Sequence, residues 1–193
     1  AHVSGLPVTG AGSAGGDPGP FTAQGIYLGI KAAVRHKLGK DSLGGVHVAV
    51  QGTGSVGGGV ARLLAKDGAK LTLADIDEAR AAALAAELGG VAVASDAIMA
   101  TPCDVFSPNA LGAILDDTSI AALDYVINAG GIISVATEYL ARRDGRDGDI
   151  AEVDALIAQI PGRLESIWAE SDASGVSSDV VADRMAQALI GRG

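Results

Sequence analysis

The stretch V-H-V-A-V-Q-G-T-G-S-V-G-G-G-V, residues 46–60, decides the fold. Val46 to Val50 is almost continuously apolar, as expected of a strand buried on both faces of a parallel sheet. Gly52, Gly54 and Gly57 follow with G-x-G-x-x-G spacing. In that pattern the first glycine permits a tight strand-to-helix turn, and the second lets the backbone approach a pyrophosphate. The third lets the helix pack closely on the strand. The helix predicted over Val56–Lys66 would then point its free N–H groups and positive dipole end at the phosphates.

Working outward, Lys70–Ala74 reads as a second strand. Asp75 stands at its end, 23 residues after Gly52, where an acid that holds a ribose belongs in such a unit. Asp77 is the better cap for the next helix, Asp77–Leu88, which leaves Asp75 free. An acid there repels a 2′-phosphate and no Arg follows immediately, so NAD is favoured over NADP. Arg80, one turn into the helix, keeps NADP open. Further strands are expected at Val91–Val93, Asp104–Phe106 and Tyr125–Ile127, with a short helix near Leu111–Leu115.

Upstream, residues 1–20 are rich in Gly, Pro and Ser and predict a loop. A helix follows, with Thr22 as its N-cap, running to about Leu38 on the apolar positions Ile26, Ile30 and Val34. Beyond Gly131 the chain turns helical. Ile150, Val153, Leu156, Ile157, Ile160, Leu164, Ile167 and Trp168 mark one face of a long helix, kinked at Pro161. A last helix is predicted over Ser178–Ile190. This order predicts an α/β fold with a doubly wound, mainly parallel, Rossmann-like sheet. That domain would span residues 1–148, with the Val46–Val50 strand near the sheet centre, and a C-terminal helical tail, 149–193, would pack on it.

Composition narrows the function. The 193 residues suit one domain. With 14 basic and 23 acidic residues the net charge is −9, which argues against nucleic acid or an anionic membrane as partner. Aromatics are only 3%, so base-stacking surfaces are not expected. Cys103 is the sole cysteine, which suits a reducing, cytoplasmic setting. His2, His36 and His47 make no metal-binding spacing with it, and no metal site is expected. No apolar run approaches a membrane span of about 20 residues, and no signal peptide is visible. Ala1 in place of a starting Met reads as the beginning of a processed or excised chain.

Six motifs in order carry a family resemblance: G-G-D-P-G-P-F-T-A-Q-G-I (15–26), V-A-V-Q-G-T-G-S-V-G (48–57), L-A-D-I-D (73–77), C-D-V-F-S-P-N-A-L-G (103–112), Y-V-I-N-A-G-G (125–131) and V-A-D-R-M-A (181–186). Through them the chain resembles the leucine/phenylalanine/valine branch of the amino-acid dehydrogenases. The resemblance implies NAD-dependent oxidative deamination of apolar L-amino acids to 2-oxo acids, in a cleft between two domains. It implies that Thr22 reaches the nicotinamide carboxamide. It also implies that Gly52, Thr53, Gly54, Ser55, Val56 and Gly57 hold the pyrophosphate, and that Asp75 with Ile76 holds the adenosine ribose. Ser107, Pro108, Asn109 and Ala110 would lie beside the nicotinamide ribose, with Asn128 near nicotinamide and substrate. Ile132 and Val135, one helical turn apart, would wall the substrate side chain.

The family's N-terminal catalytic domain, with its lysines and acid, has no counterpart in these residues, so no catalytic residue is assigned. Turnover, and binding of an apolar L-amino acid, are expected only where such a domain is supplied. The stretch Thr118–Tyr125 reads as a junction where the family has roughly thirty further residues, about one βαβ step. The C-terminal helices resemble a segment that packs partly on the missing domain, and their unpartnered stripe predicts a homodimer, or aggregation, through this region, unless the tail folds back over the shortened sheet. Two other classes compete. Short-chain dehydrogenases share the glycine loop and N-A-G, as at Asn128-Ala129-Gly130, but need Tyr-x-x-x-Lys after it. Here Tyr27 and Lys31 come before the loop, and Tyr139 is followed by Arg143. The other class is a non-catalytic or engineered minimal Rossmann module that folds without turnover.

Overall fold

The computed structural model describes residues 17–110, 137, 139–141, 143–145, 149–189 and 191. The expected Tyr125–Ile127 strand, the Leu111–Leu115 helix and the Thr118–Tyr125 junction lie outside the described residues, as do Asn128, Ile132 and Val135.

Helix α1, Gly19–Leu38, starts three residues before the predicted N-cap. Pro18 is the capping residue and Pro20 sits in the first turn, where a fixed φ and a missing N–H cost nothing. Thr22 is therefore not the cap. It lies inside the helix, where its backbone N–H and its hydroxyl both donate to the Pro18 carbonyl, at 3.0 and 3.1 Å. Strand β1 (His47–Gln51) leads into α2 (Ser55–Lys66). Strand β2 (Lys70–Ala74) leads into α3 (Glu78–Leu88), whose N-cap Asp77 accepts from the Arg80 N–H at 3.1 Å. Then come β3 (Val91–Ala92), a 3₁₀ turn at Ile98–Ala100 and β4 (Val105–Pro108).

The four strands run parallel in the order β3-β2-β1-β4. As expected, β1 is interior, with Val48 opposite both Leu71 and Val105. Its side chains split by the period of two. Val48 and Val50 join Leu71 and Leu73 in a core closed by Ile26, Ile30, Val60, Leu64 and Leu84 of α1, α2 and α3. Ala49 and Ala74 face the other way, against Ile98, Cys103 and Phe106.

The predicted long C-terminal helix is two helices. Helix α4 (Ile150–Ile157) ends, the chain turns at Ala158–Gln159, and α5 (Ile160–Ser174) begins with Pro161 in its first turn. Pro161 thus starts a helix instead of kinking one, because only a first turn tolerates its lost donor. Helix α6 covers Ser178–Leu189. Val153, Ile157, Ile160 and Leu164 bury against Phe21, Leu28 and Ala32 of α1. Trp168 stacks on the His36 imidazole with ring centres 4.7 Å apart. The expected unpartnered stripe is corrected here: Ile157 and Leu164 find their partner in α1. Among the described residues no helix is long and apolar enough to cross a membrane.

Candidate functional site

The carboxyl ends of β1, β2 and β4 meet in one place. The ladder continues past β1 through a bond from the Gly52 N–H to the Ala74 carbonyl at 2.8 Å, and from the Asn109 N–H to the Gln51 carbonyl at 2.6 Å. The three glycines between β1 and α2 differ in what holds them there. Gly52 has φ +86, and a side chain on it would press within 2.7 Å of the Ala110 backbone nitrogen. A Cβ on Gly57 would overlap the Gly52 carbonyl oxygen. The turn and the helix approach require both. Gly54 is different. Its φ of −68 suits any residue, and none of the described residues lies within 4 Å of a Cβ built there.

Gly54 is also the N-cap of α2, and among the described residues no side chain caps that helix end. Its first turn carries no acid. The N–H groups of Ser55, Val56 and Gly57 therefore have no intrahelical acceptor, at the positive end of the helix dipole. At the margin, the Ser55 hydroxyl donates to the Asp17 carboxylate at 2.8 Å. The Gly19 N–H and Ser55 hold that carboxyl below its ordinary value.

Asp75 is buried at the end of β2. Its Oδ2 accepts from the Thr53 N–H at 2.6 Å and the Thr53 hydroxyl at 3.0 Å. Its Oδ1 accepts from the Asp77 N–H at 3.0 Å and from Arg80 Nη2 at 2.7 Å. Burial pushes the carboxyl up, but Arg80, Thr53 and Asp77 outweigh it and hold the group well below the usual aspartate range. Asp75 is thus not free, as its sequence position had implied; it ties the glycine loop to β2 and α3. Ile76 beside it is 90% exposed on the rim.

On the β4 side, Pro108 pairs with Gln51 and Ser107 is buried. Asn109 Nδ2 donates to the Ser107 carbonyl at 2.9 Å and to its hydroxyl at 3.0 Å. Two buried acceptors, Gln51 Oε1 and Asn109 Oδ1, have no partner among the described residues. A buried oxygen without a donor costs about 1–3 kcal/mol, so the carboxyl edge of the sheet suits a ligand that carries donors. Gln51 was missed by the sequence reading; only its place next to the first glycine could have signalled it. Thr22 lies in the first turn of α1, whose Gly19 meets the Ser55 hydroxyl at the start of α2.

Tyr27 and Lys31, the tyrosine–lysine pair of the short-chain alternative, sit at the other end of α2. The Tyr27 hydroxyl donates to Asp67 at 2.9 Å, and Lys31 pairs with Asp67 at 2.8 Å. Asp67 caps the carboxyl end of α2, about 18 Å along the helix from Ser55. Burial and Asp67 push the phenol upward, the reverse of what proton transfer by tyrosine needs.

Comparison with known proteins supplies the last observations. A family model described as enoyl-(acyl carrier protein) reductase matches residues 50–156, from the end of β1 onward. The chain is 35% identical to leucine dehydrogenase of Geobacillus stearothermophilus over 206 positions, covering 91% of this chain and 54% of the relative. It is 35% identical to phenylalanine dehydrogenase of Lysinibacillus sphaericus over 172 positions, covering 70% and 45%. The crystal structure of L-tryptophan dehydrogenase from Nostoc punctiforme superposes with a TM-score of 0.80 at 28% identity, over 91% of this chain and 62% of that one. The chain spans about half the length of the curated relatives it matches. The match to the leucine dehydrogenase runs over 206 positions and holds about 176 residues of this chain (91% of 193), so about thirty positions of the relative within it have no counterpart here.

Proposed function

The chain belongs to the Rossmann-type dehydrogenases, in the branch of leucine, phenylalanine and tryptophan dehydrogenases, and from that premise we propose that it is the NAD-binding domain of an enzyme that oxidatively deaminates apolar L-amino acids. The observation that carries the reading is Gly54. Among the described residues neither φ nor neighbouring atoms require glycine there, which leaves space for a group that approaches the loop from outside. A dinucleotide pyrophosphate against uncapped helix N–H groups suits that space.

In this reading Gly52, Thr53, Gly54, Ser55, Val56 and Gly57 receive the pyrophosphate. Asp75 and Ile76 border the adenosine ribose. Thr22, Ser107, Pro108, Asn109 and Ala110 border the nicotinamide end, where the orphaned oxygens of Gln51 and Asn109 would gain donors. Bound NAD would supply the hydride acceptor; these residues only hold and orient it. Asn128, Ile132 and Val135 are proposed for the substrate side on the resemblance alone. Amino-acid binding and turnover need the other half that the relatives possess. A cytoplasmic setting is proposed with them, and so is a homodimer through the C-terminal helices. With Ile157 and Leu164 already covered, that dimer would use Val180 and Leu189, which are 47% and 81% exposed.

The test is an NADH fluorescence titration of the chain and of Gly54→Ala. The variant should keep its melting temperature, since its Cβ enters open space, and lose at least tenfold in affinity. A folded chain that binds no NADH, or a variant that binds as well as the parent, would end this reading.

A further inference from the structure

A carboxylate offers about four lone-pair directions, and those of Asp75 are all taken. Three of the donors belong to the fold: the Thr53 N–H, the Thr53 hydroxyl and the Asp77 N–H. The fourth is the Arg80 guanidinium, at 2.7 Å from Oδ1. Arg80 is the exchangeable member. Its side chain is 48% exposed, against 6% for that of Asp75, and its second ion pair, to Asp77, is loose at 3.8 Å.

An acid at this strand end ordinarily selects for NAD in two ways, by accepting from the 2′-hydroxyl and by repelling a 2′-phosphate. The Arg80 contact weakens both. Oδ1 cannot take the 2′-hydroxyl until the guanidinium moves away. Meanwhile the guanidinium cancels the carboxylate charge that would repel a phosphate. A guanidinium has five N–H donors in a planar fork. With one spent on Oδ1, the others remain to meet phosphate oxygens, a geometry this group satisfies with two parallel bonds.

We propose that Arg80 is the residue that reads the ribose 2′ position, so that this chain takes a 2′-phosphorylated dinucleotide within about tenfold of its affinity for NAD. The proposal rests on the dinucleotide reading of the β1–α2 loop. It adds that the preference for NAD is shallow and is set by the Asp75–Arg80 pair, not by Asp75 alone. Releasing Oδ1 from Arg80 should deepen the preference, because Asp75 then regains both its free lone pair and its uncompensated charge.

The experiment titrates NADH and NADPH by fluorescence into the parent chain, Arg80→Gln and Arg80→Lys, with adenosine 5′-monophosphate and adenosine 2′,5′-bisphosphate as competitors to isolate the 2′ position. Arg80→Gln should lose at least tenfold for NADPH and for the bisphosphate, while NADH holds or tightens. Arg80→Lys keeps the ion pair but not the fork and should fall between, which guards against misreading an unfolded Gln variant. Thermal melts of all three report folding directly. Equal losses for NADH and NADPH would make Arg80 a structural tie of the loop, and no change in either would make it a bystander; both overturn the proposal while leaving the dinucleotide site intact. A folded parent chain that binds neither nucleotide refutes the site reading and this inference with it. A parent that binds NADH but not NADPH refutes this inference alone.

Discussion

Gly57 and Gly54 are three residues apart and answer to different demands. A methyl group at Gly57 collides with the backbone of Gly52, and backbone cannot rotate away as a side chain can. Gly57→Ala should therefore destabilise the fold by about 3 kcal/mol or more, read as a lowered midpoint in urea. Asp75 gives a second test at this scale. Its carboxyl is held well below the ordinary aspartate value of 3.8. A carboxyl with a depressed folded pKa stabilises fully above the unfolded value and loses that stabilisation as pH falls through the folded one. Asp75→Asn should cost about 2–3 kcal/mol near neutrality. The melting temperature of the variant should also fall less steeply than that of the parent below about pH 4. Parallel slopes would show that the Thr53 and Arg80 bonds contribute nothing in solution.

Among the elements, two prolines explain the largest differences between sequence and structure. Pro18-Gly19-Pro20 reads as loop and Pro161 as a kink, yet Pro20 and Pro161 each occupy the first turn of a helix. Local composition cannot tell a proline that interrupts a helix from one that opens it, because the choice depends on which backbone carbonyls the next turn must satisfy. The sequence predicts β4 over Asp104–Phe106, whereas it runs Val105–Pro108; pairing with Val50 and Gln51 of β1 overrides the low strand preference of Ser107 and Pro108. The site was legible in position but not in bonding. Asp75 could be placed from spacing, whereas its saturation by Thr53 and Arg80 joins two different elements. The docking of α4 and α5 on α1 is open to direct test. Leu164 is 4% exposed against Phe21 and Leu28. Leu164→Ala should cost about 2–4 kcal/mol and raise amide exchange in the first turn of α1, beside the site. Exchange confined to α5 would mean that the tail does not brace that turn.

For the whole molecule, binding and turnover separate. The chain spans about half of its curated relatives, so the 193 residues by themselves should bind NADH yet reduce no NAD with leucine or phenylalanine above the buffer rate. Steady NADH production abolished by Gly54→Asp would show that these residues hold the chemistry after all. Light scattering at high micromolar concentration checks association, and a monomer mass would exclude the homodimer.

The parallel sheet has one more consequence, for the order in which the chain assembles. Val48 meets Leu71 across about 23 residues of chain and Val105 across about 57. Closing the longer loop costs about 0.8 kcal/mol more in chain entropy, so the β1–α2–β2 crossover unit should form before β4 is captured. Truncating Leu73 should slow refolding nearly in proportion to the stability it removes, while truncating Phe106 on β4 should mainly hasten unfolding. The unit that carries the glycine loop would then be the nucleus from which the rest of the domain grows.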